Sequence, residues 1–239
     1  MLPLEGRRIL VTGASAGIGR ATALTLAQAG AQVLATGRRE DALSTLQAQA
    51  ADGRIQTLAG DLNDAGFAAD LAAAAAQVDV FVNNAGVLRY APVLEITDED
   101  TAWMFQTNVL SAFRISQSIA RHMVARGQGQ LVFVTSIGAR EVFRMASVYA
   151  ATKHALSAMA RAMRLELQGQ GLRVTEVAPG MVDTDIRASS DHPEVLASLA
   201  ARRFAPLSAQ DVAQAVLYAV TTEPPCCPDL IELRPQGAA

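Results

Sequence analysis

Thr12-Gly13-Ala14-Ser15-Ala16-Gly17-Ile18-Gly19 is the stretch that decides the fold. The apolar run at 9–12 in front of it has the length of a strand, and a helical period begins at Ile18 directly behind it. Glycines between a strand and a helix allow a tight turn and let backbone amides at a helix N-terminus come close to a pyrophosphate. The spacing is Gly-x-x-x-Gly-x-Gly, one residue longer at the first gap than the usual dinucleotide fingerprint. Alone it also reads as an ordinary βα loop, but a strand before and a helix after favour the dinucleotide, cradled at Gly13, Gly17 and Gly19.

The same alternation continues along the chain. Strand-length apolar runs occur at 9–12, 32–36, 55–58, 78–82, 130–135, 173–177 and 230–233. Helical segments lie between them at 18–29, 41–51, 63–77, 98–126, 148–168 and 208–220. Short apolar strands alternating with longer helices predict an α/β fold: a doubly wound parallel sheet of seven strands covered on both faces. No linker or repeat divides the 239 residues, so residues 1–239 are expected to form one domain.

Composition narrows the partners. Hydrophobic residues make up 51% and charged residues 18%, enough for a large core. A net charge of -3 gives no basic footprint for nucleic acid or an anionic membrane, and no apolar stretch is long enough to span a bilayer. The two cysteines, Cys226 and Cys227, are adjacent, which suits a free-thiol pair in a reducing compartment; the expected location is cytoplasmic. The three histidines, His122, His154 and His192, are too scattered for a metal site.

The carboxyl ends of the strands carry the polar residues. After the second strand, Gly37 stands where a carboxylate would bind a ribose diol, and Arg38 and Arg39 follow. Two guanidiniums there suit a 2′-phosphate and predict NADP(H) over NAD(H), the alternative being a solvated basic pair at a helix start. Asp61 and Leu62 follow the third strand, and Asn83, Ala85 and Gly86 follow the fourth. Asp61 is placed to accept from an adenine amino group, and Ala85 and Gly86 keep bulk away from the adenosine; both groups also read as turn residues.

Ser136 closes the fifth strand, and Tyr149 and Lys153 stand at i and i+4 near the start of the next helix, hence on one face. A phenol of pKa about 10 is a poor base at neutral pH. An ammonium at about 4 Å, in an effective dielectric of about 20, contributes roughly 4 kcal/mol toward the phenolate, or about three units of pKa. Asn108 is polar inside an apolar helical segment, where it bonds a neighbouring backbone or holds a water beside Lys153.

Taken in order, Thr12-Gly13-x-x-x-Gly17-x-Gly19, Asn83-Asn84-Ala85-Gly86, Asn108, Ser136, Tyr149-x-x-x-Lys153 and Pro179-Gly180-x-x-x-Thr184 resemble the short-chain dehydrogenase/reductase family over essentially the whole chain. The resemblance implies a Rossmann fold in which Tyr149 is the acid/base, Ser136 holds the substrate oxygen, and Lys153 binds the nicotinamide ribose. It also implies that Asn108 completes a water-linked proton relay. On the same basis Ser15 and Ile18 line the pyrophosphate, and Pro179, Gly180, Val182 and Thr184 lie against the carboxamide and phosphates. Gly37-Arg38-Arg39 resembles NADP-dependent members acting on small alcohols, hydroxy acids or serine-like compounds. Such members imply a homotetramer packed through 98–126 and 148–168.

The expected function is therefore NADP(H)-dependent interconversion of a carbonyl and an alcohol on a small molecule. A β-ketoacyl thioester reductase is the enzymatic alternative, and a non-catalytic NADP(H) sensor is the third reading. Leu88, Arg89 and Tyr90, residues 137–143 and the segment after Thr184 are expected to select the substrate. Arg140, Glu141 and Arg144 either bind a polar substrate or are surface charges, and residues 185–206 read as a lid.

Overall fold

A computed structural model describes residues 2–50 and 53–238. The run before the glycine turn forms β1 (Arg8–Thr12), in which Ile9, Leu10 and Val11 are all fully buried. Consecutive strand residues point to opposite faces, so burying all three requires layers on both sides of the sheet. β2 (Gln32–Gly37), β3 (Ile55–Ala59), β4 (Val80–Asn83), β5 (Gly129–Val134), β6 (Leu172–Pro179) and β7 (Leu230–Leu233) complete it. All neighbours pair in parallel in the order β3-β2-β1-β4-β5-β6-β7. The winding reverses between β1 and β4, and the crevice at the carboxyl ends of these strands is where an open α/β sheet takes a ligand.

Two apolar layers enclose the sheet. On one face, α1 (Gly17–Gln28), α2 (Glu40–Gln49) and α8 (Ala209–Thr221) bury Leu26, Leu43, Leu46, Val212 and Val216 against Ile9, Val11 and Val33. On the other, α3 (Ala65–Ala74), α5 (Ala112–Arg126) and α6 (Ser147–Leu167) bury Leu71, Ile115, Ile119 and Leu156 against Leu10, Phe81 and Phe133. Among the described residues no helix is long and apolar enough to cross a membrane.

The helix predicted at 98–126 is three pieces. α4 (Asp98–Phe105) starts where the Thr97 hydroxyl accepts the Asp100 amide at 3.0 Å, a turn of π-helix (Gln106–Ser111) follows, and α5 continues. A π turn inserts one residue into the α repeat and re-aims the side chains on it, a device common at functional sites. The helix predicted at 63–77 is shortened to α3 because Asp64 caps it at its start, and β4 begins at Val80 because the Val78 amide closes a turn onto the Ala75 carbonyl. Ala51, placed in the second helix by the sequence, lies outside the described residues. Residues 185–206 contain a helix the sequence reading did not separate, α7 (Pro193–Ala200), with His192 capping its N-terminus and proline at its first position.

Candidate active site

The glycine turn is built by close approach. Gly13 (φ +68°) and Gly17 (φ +50°) occupy the left-handed region, and a Cβ on Gly13 would stand 2.8 Å from Ala85 Cα. A Cβ on Gly19 would stand 2.3 Å from the Gly13 carbonyl oxygen. The Thr12 hydroxyl accepts the amides of Asn84 and Ala85, both at 3.1 Å, and Asn84 Nδ2 donates to the Thr12 carbonyl at 2.9 Å. These bonds lock the ends of β1 and β4 together. Ala16, at the N-cap of α1, supplies no side-chain bond, and the first turn carries no acid. The free amides of α1 and the positive end of its dipole therefore face an open cleft, a donor set that fits the pyrophosphate of a dinucleotide.

That cleft encloses about 680 Å³. Gly13, Ser15, Gly17, Ile18, Gly19, Arg38, Arg39, Asp61, Leu62, Ala85, Gly86, Ser136, Tyr149, Lys153, Pro179, Gly180, Val182 and Thr184 all line it, so nearly every residue singled out from the sequence meets there. Gly37 has a packing reason to be glycine, since a Cβ there would be 3.1 Å from the Ser15 side chain. Arg39 Nη2 bends back to the Ser15 carbonyl at 3.0 Å, and Arg38 is exposed on the rim. Asp61 spends one oxygen on the Asn63 amide at 2.9 Å, an Asx turn, and keeps the other free.

Asn83 and Asn108 do not line the cleft. Asn83 Nδ2 is used beneath the sheet, donating to the Ala112 carbonyl at 3.0 Å and the Ser116 hydroxyl at 2.9 Å, and Asn84 takes the cleft position instead. Asn108, carried inward by the π turn, is fully buried: its Oδ1 accepts the Val87 amide at 2.7 Å and its Nδ2 donates to the Val87 carbonyl at 2.8 Å. It pins the loop after β4 in the way a neighbouring strand would. Of the two roles left open by the sequence, the structure displays the backbone bond.

Ser136 accepts the Gly138 amide at 3.0 Å, which turns its hydroxyl into the cleft beside the Tyr149 ring. Tyr149 packs edge-on against Tyr90, ring centroids 5.9 Å apart. Lys153 Nζ donates to the Val134 carbonyl at 3.3 Å and lies 5.8 Å from the Tyr149 ring centre. This geometry corrects the electrostatic expectation. Burial pushes the Tyr149 phenol above its ordinary pKa, with Tyr90 adding to the rise, and the Ser136 hydroxyl and the Arg187 charge only partly oppose it. The Lys153 ammonium is itself desolvated, and burial outweighs what lowers the phenol. Burial likewise pulls Lys153 down to about 8, with the Glu176 carboxylate pulling it back up.

Glu176 was missed in the sequence. Its carboxylate is only 3% exposed and accepts from the Thr135 hydroxyl at 2.7 Å, the Ser157 hydroxyl at 2.9 Å and the Arg140 guanidinium at 2.9 Å. The signal was there: a lone acid in the uncharged, fully buried remainder of β6 after Arg173, Val174-Thr175-Glu176-Val177-Ala178, needs partners. Arg140, read as substrate-binding or surface charge, is instead tied to this buried acid, and Glu141 is paired with Arg234. Met145 was also missed. It adopts φ +63°, rare for a side-chain-bearing residue, and its carbonyl accepts the Ala91 amide at 3.0 Å, fixing the loop before α6 against the loop after β4.

Residues 7–195 match the model of the short chain dehydrogenase family. The chain belongs to that family. This short-chain dehydrogenase is 39% identical over 186 residues to the L-xylulose reductase of Mesocricetus auratus, covering 77% of this chain and 75% of the relative. It is 34% identical over 192 residues to the gluconate 5-dehydrogenase of Gluconobacter oxydans, covering 78% and 75%. Among solved structures, a 3-oxoacyl (acyl-carrier-protein) reductase from Agrobacterium tumefaciens with NADP bound superposes with a TM-score of 0.83 at 31% identity, covering 97% of this chain and 94% of that one. These three relatives are thus a reductase of L-xylulose, a dehydrogenase of gluconate and a 3-oxoacyl (acyl-carrier-protein) reductase.

Proposed function

We propose that this short-chain dehydrogenase is an NADP(H)-dependent oxidoreductase that interconverts a small carbonyl compound and its alcohol. The observation that carries the reading is the meeting, in one cleft, of the uncapped end of α1 with Ser136, Tyr149 and Lys153. A nicotinamide dinucleotide bound there supplies or accepts the hydride. Arg38 and Arg39 support a 2′-phosphate, and the NADP-bound relative supports the same choice. Ser15, Ile18, Val182 and Thr184 extend the cradle around the phosphates and carboxamide.

In the reductive direction Ser136 donates to the carbonyl oxygen, and Tyr149, kept protonated by its burial, gives that oxygen its proton. Lys153, lowered by burial to about 8 with Glu176 opposing the fall, places a cation beside the phenol and stabilises the phenolate left behind. Asn108 holds the loop after β4 beside Lys153, since a Cβ on Gly86 would lie 3.4 Å from Asn108 Oδ1 and 3.5 Å from Lys153 Nζ. The segment 185–206 acts as a lid over the substrate end. Exposed Leu110 and Leu165, on the π turn and α6, support assembly of a homotetramer through those helices.

A β-ketoacyl thioester is the second reading, supported by the Agrobacterium relative and by exposed Phe143 on the cleft wall. An NADPH-oxidation screen over aldehydes, ketones, oxo acids and carrier-linked ketoacyl groups separates the two. In the same assay Tyr149→Phe is expected to keep NADPH affinity and to lower turnover about 10²–10⁴-fold. Unchanged turnover would remove the phenol from the mechanism.

A further inference from the structure

We propose that Arg187 anchors a carboxylate on the substrate, so that this cleft takes oxo acids and hydroxy acids in preference to neutral ketones and alcohols. The inference rests on the oxidoreductase reading above and names the substrate class of that site. Arg187 ends a single 3₁₀ turn (Asp185–Arg187) at the mouth of the lid segment and lines the cleft together with Tyr90 and Tyr149. It is partly buried, and one guanidinium nitrogen donates to the Val182 carbonyl. A guanidinium has five N–H donors, so this single bond leaves most of its fork unused.

The other arginines on the cleft wall are accounted for differently. Arg234 is paired with Glu141 and Glu232, and Arg39 is turned to the Ser15 carbonyl beside the glycine turn. Arg38 and Arg144 are exposed. Arg187, in contrast, is partly withdrawn from water and forms no ion pair with a carboxylate among the described residues, although the exposed Asp185 is two positions away. A cation withdrawn from water without a counter-ion is costly, and a carboxylate entering the cleft supplies the missing partner through a forked, charge-assisted contact.

Its charge also reaches the reacting end of the cleft, lowering the pKa of both the Tyr149 and Tyr90 phenols against the effect of their burial. A substrate gripped at its carbonyl oxygen by Ser136 and Tyr149 and at its carboxylate by Arg187 is fixed at two points, which orients the carbonyl carbon for transfer. Val195 and Leu199 of α7 add apolar surface from the same lid segment. They suit the carbon chain of an oxo acid better than the hydroxyls of a polyol.

The test pairs oxo acids of increasing chain length with their primary amides, measuring NADPH oxidation by the wild type, Arg187→Leu and Arg187→Lys, with NADPH affinity followed by fluorescence titration. For the wild type, kcat/KM is expected to be roughly ten- to a hundredfold higher on the acids than on the amides. Arg187→Leu is expected to erase that difference through a higher KM for the acid, with NADPH affinity within about twofold of the wild type, and Arg187→Lys to fall between. An acid preference that survives in Arg187→Leu overturns the proposal. So does a wild type equally active on acids and amides, an outcome that leaves the reductase reading standing. A loss of NADPH affinity in Arg187→Leu reassigns the residue to the cofactor and overturns it as well. A wild type that oxidises NADPH with neither series overturns the proposal, and the wider screen of aldehydes, ketones and carrier-linked ketoacyl groups then decides the reductase reading. Should Arg187→Leu not fold, Arg187→Gln carries the same comparison.

Discussion

Between Gly13 and Gly19 the wall of the cleft is backbone, so tightly set that a methyl group added at Gly19 would stand 2.3 Å from the Gly13 carbonyl oxygen. Across the cleft, residues 185–206, the proposed lid, are held by side chains reaching over long sequence distances. Ser189 Oγ donates to the Leu88 carbonyl, 101 residues away, and Ser190 Oγ accepts the Tyr90 amide, 100 residues away. Arg89 spans Asp100 at 3.3 Å and Asp191 at 3.4 Å, and His192 meets Glu95 at 2.9 Å. The first region is specified by local chemistry, glycines in a fixed spacing between a strand and a helix. The second is a set of weaker, adjustable ties, which fits its proposed role in admitting and releasing a substrate.

Gly19→Ala is the substitution expected to do most damage. Alanine gains about 1 kcal/mol in helix propensity, but overpacking against a backbone carbonyl costs up to about 3 kcal/mol, so the clash wins. The net loss of about 2 kcal/mol corresponds to a fall of roughly 4 to 8 °C in Tm for a chain of this size. Displaced amides at the start of α1 are expected to lower NADPH affinity at least about tenfold and kcat/KM about a hundredfold. Thermal unfolding and a fluorescence titration measure both. A variant of native Tm and affinity would show that the glycine wall is as adjustable as the lid, and the contrast between the two regions would go with it.

The same contrast explains what could be read from the chain alone. The glycine turn, Ser136, Tyr149 and Lys153 were legible because their chemistry goes with position: strand end, first helical turn, i and i+4 on one face. Asn83 was misplaced because strand alternation decides which of two adjacent asparagines faces the cleft, and Asn84 is the one that does. Glu176 and Arg187 were passed over because what surrounds them comes from other elements: Thr135, Arg140 and Ser157 bond the first, and the second shares the cleft wall with Tyr90 and Tyr149. The π turn was read as plain helix because the hydrophobic pattern survives a one-residue insertion. The phenol's raised pKa depends on the burial of its ring, which four residues of spacing do not report.

Glu176→Gln probes the junction of the two regions. The carboxylate opposes the burial that pulls Lys153 down to about 8, so neutralising it lowers the Lys153 pKa further. The sign is fixed: Lys153 is charged below its pKa, and removing an anion moves that boundary toward acid. The alkaline limb of the pH profile of kcat/KM is therefore expected to shift to lower pH, with about a tenfold loss at pH 8. Arg140 loses its partner in the same variant, loosening the loop that follows Ser136. A lowered rate with an unmoved alkaline limb would assign Glu176 to holding Arg140 alone.

Arg89→Ala is the mildest case and addresses the lid directly. Arg89 is about one-third exposed, and Asp191 is almost fully exposed, so each pair contributes at most about 1 kcal/mol. If residues 185–206 act as the proposed lid, loss of that coupling makes its closed form less populated without touching Ser136, Tyr149 or Lys153. The expected result is a KM raised about two- to fivefold with kcat unchanged. Because these pairs sit in water-accessible surroundings, salt should act on the wild type in the same direction, and the variant should lose that part of the salt response. Gly19→Ala, in contrast, is expected to keep its defect at every ionic strength, since sterics are not screened. If Arg89→Ala and the wild type share one salt dependence of KM, the lid is held by the Ser189 and Ser190 hydrogen bonds and the ion pairs contribute nothing to closure.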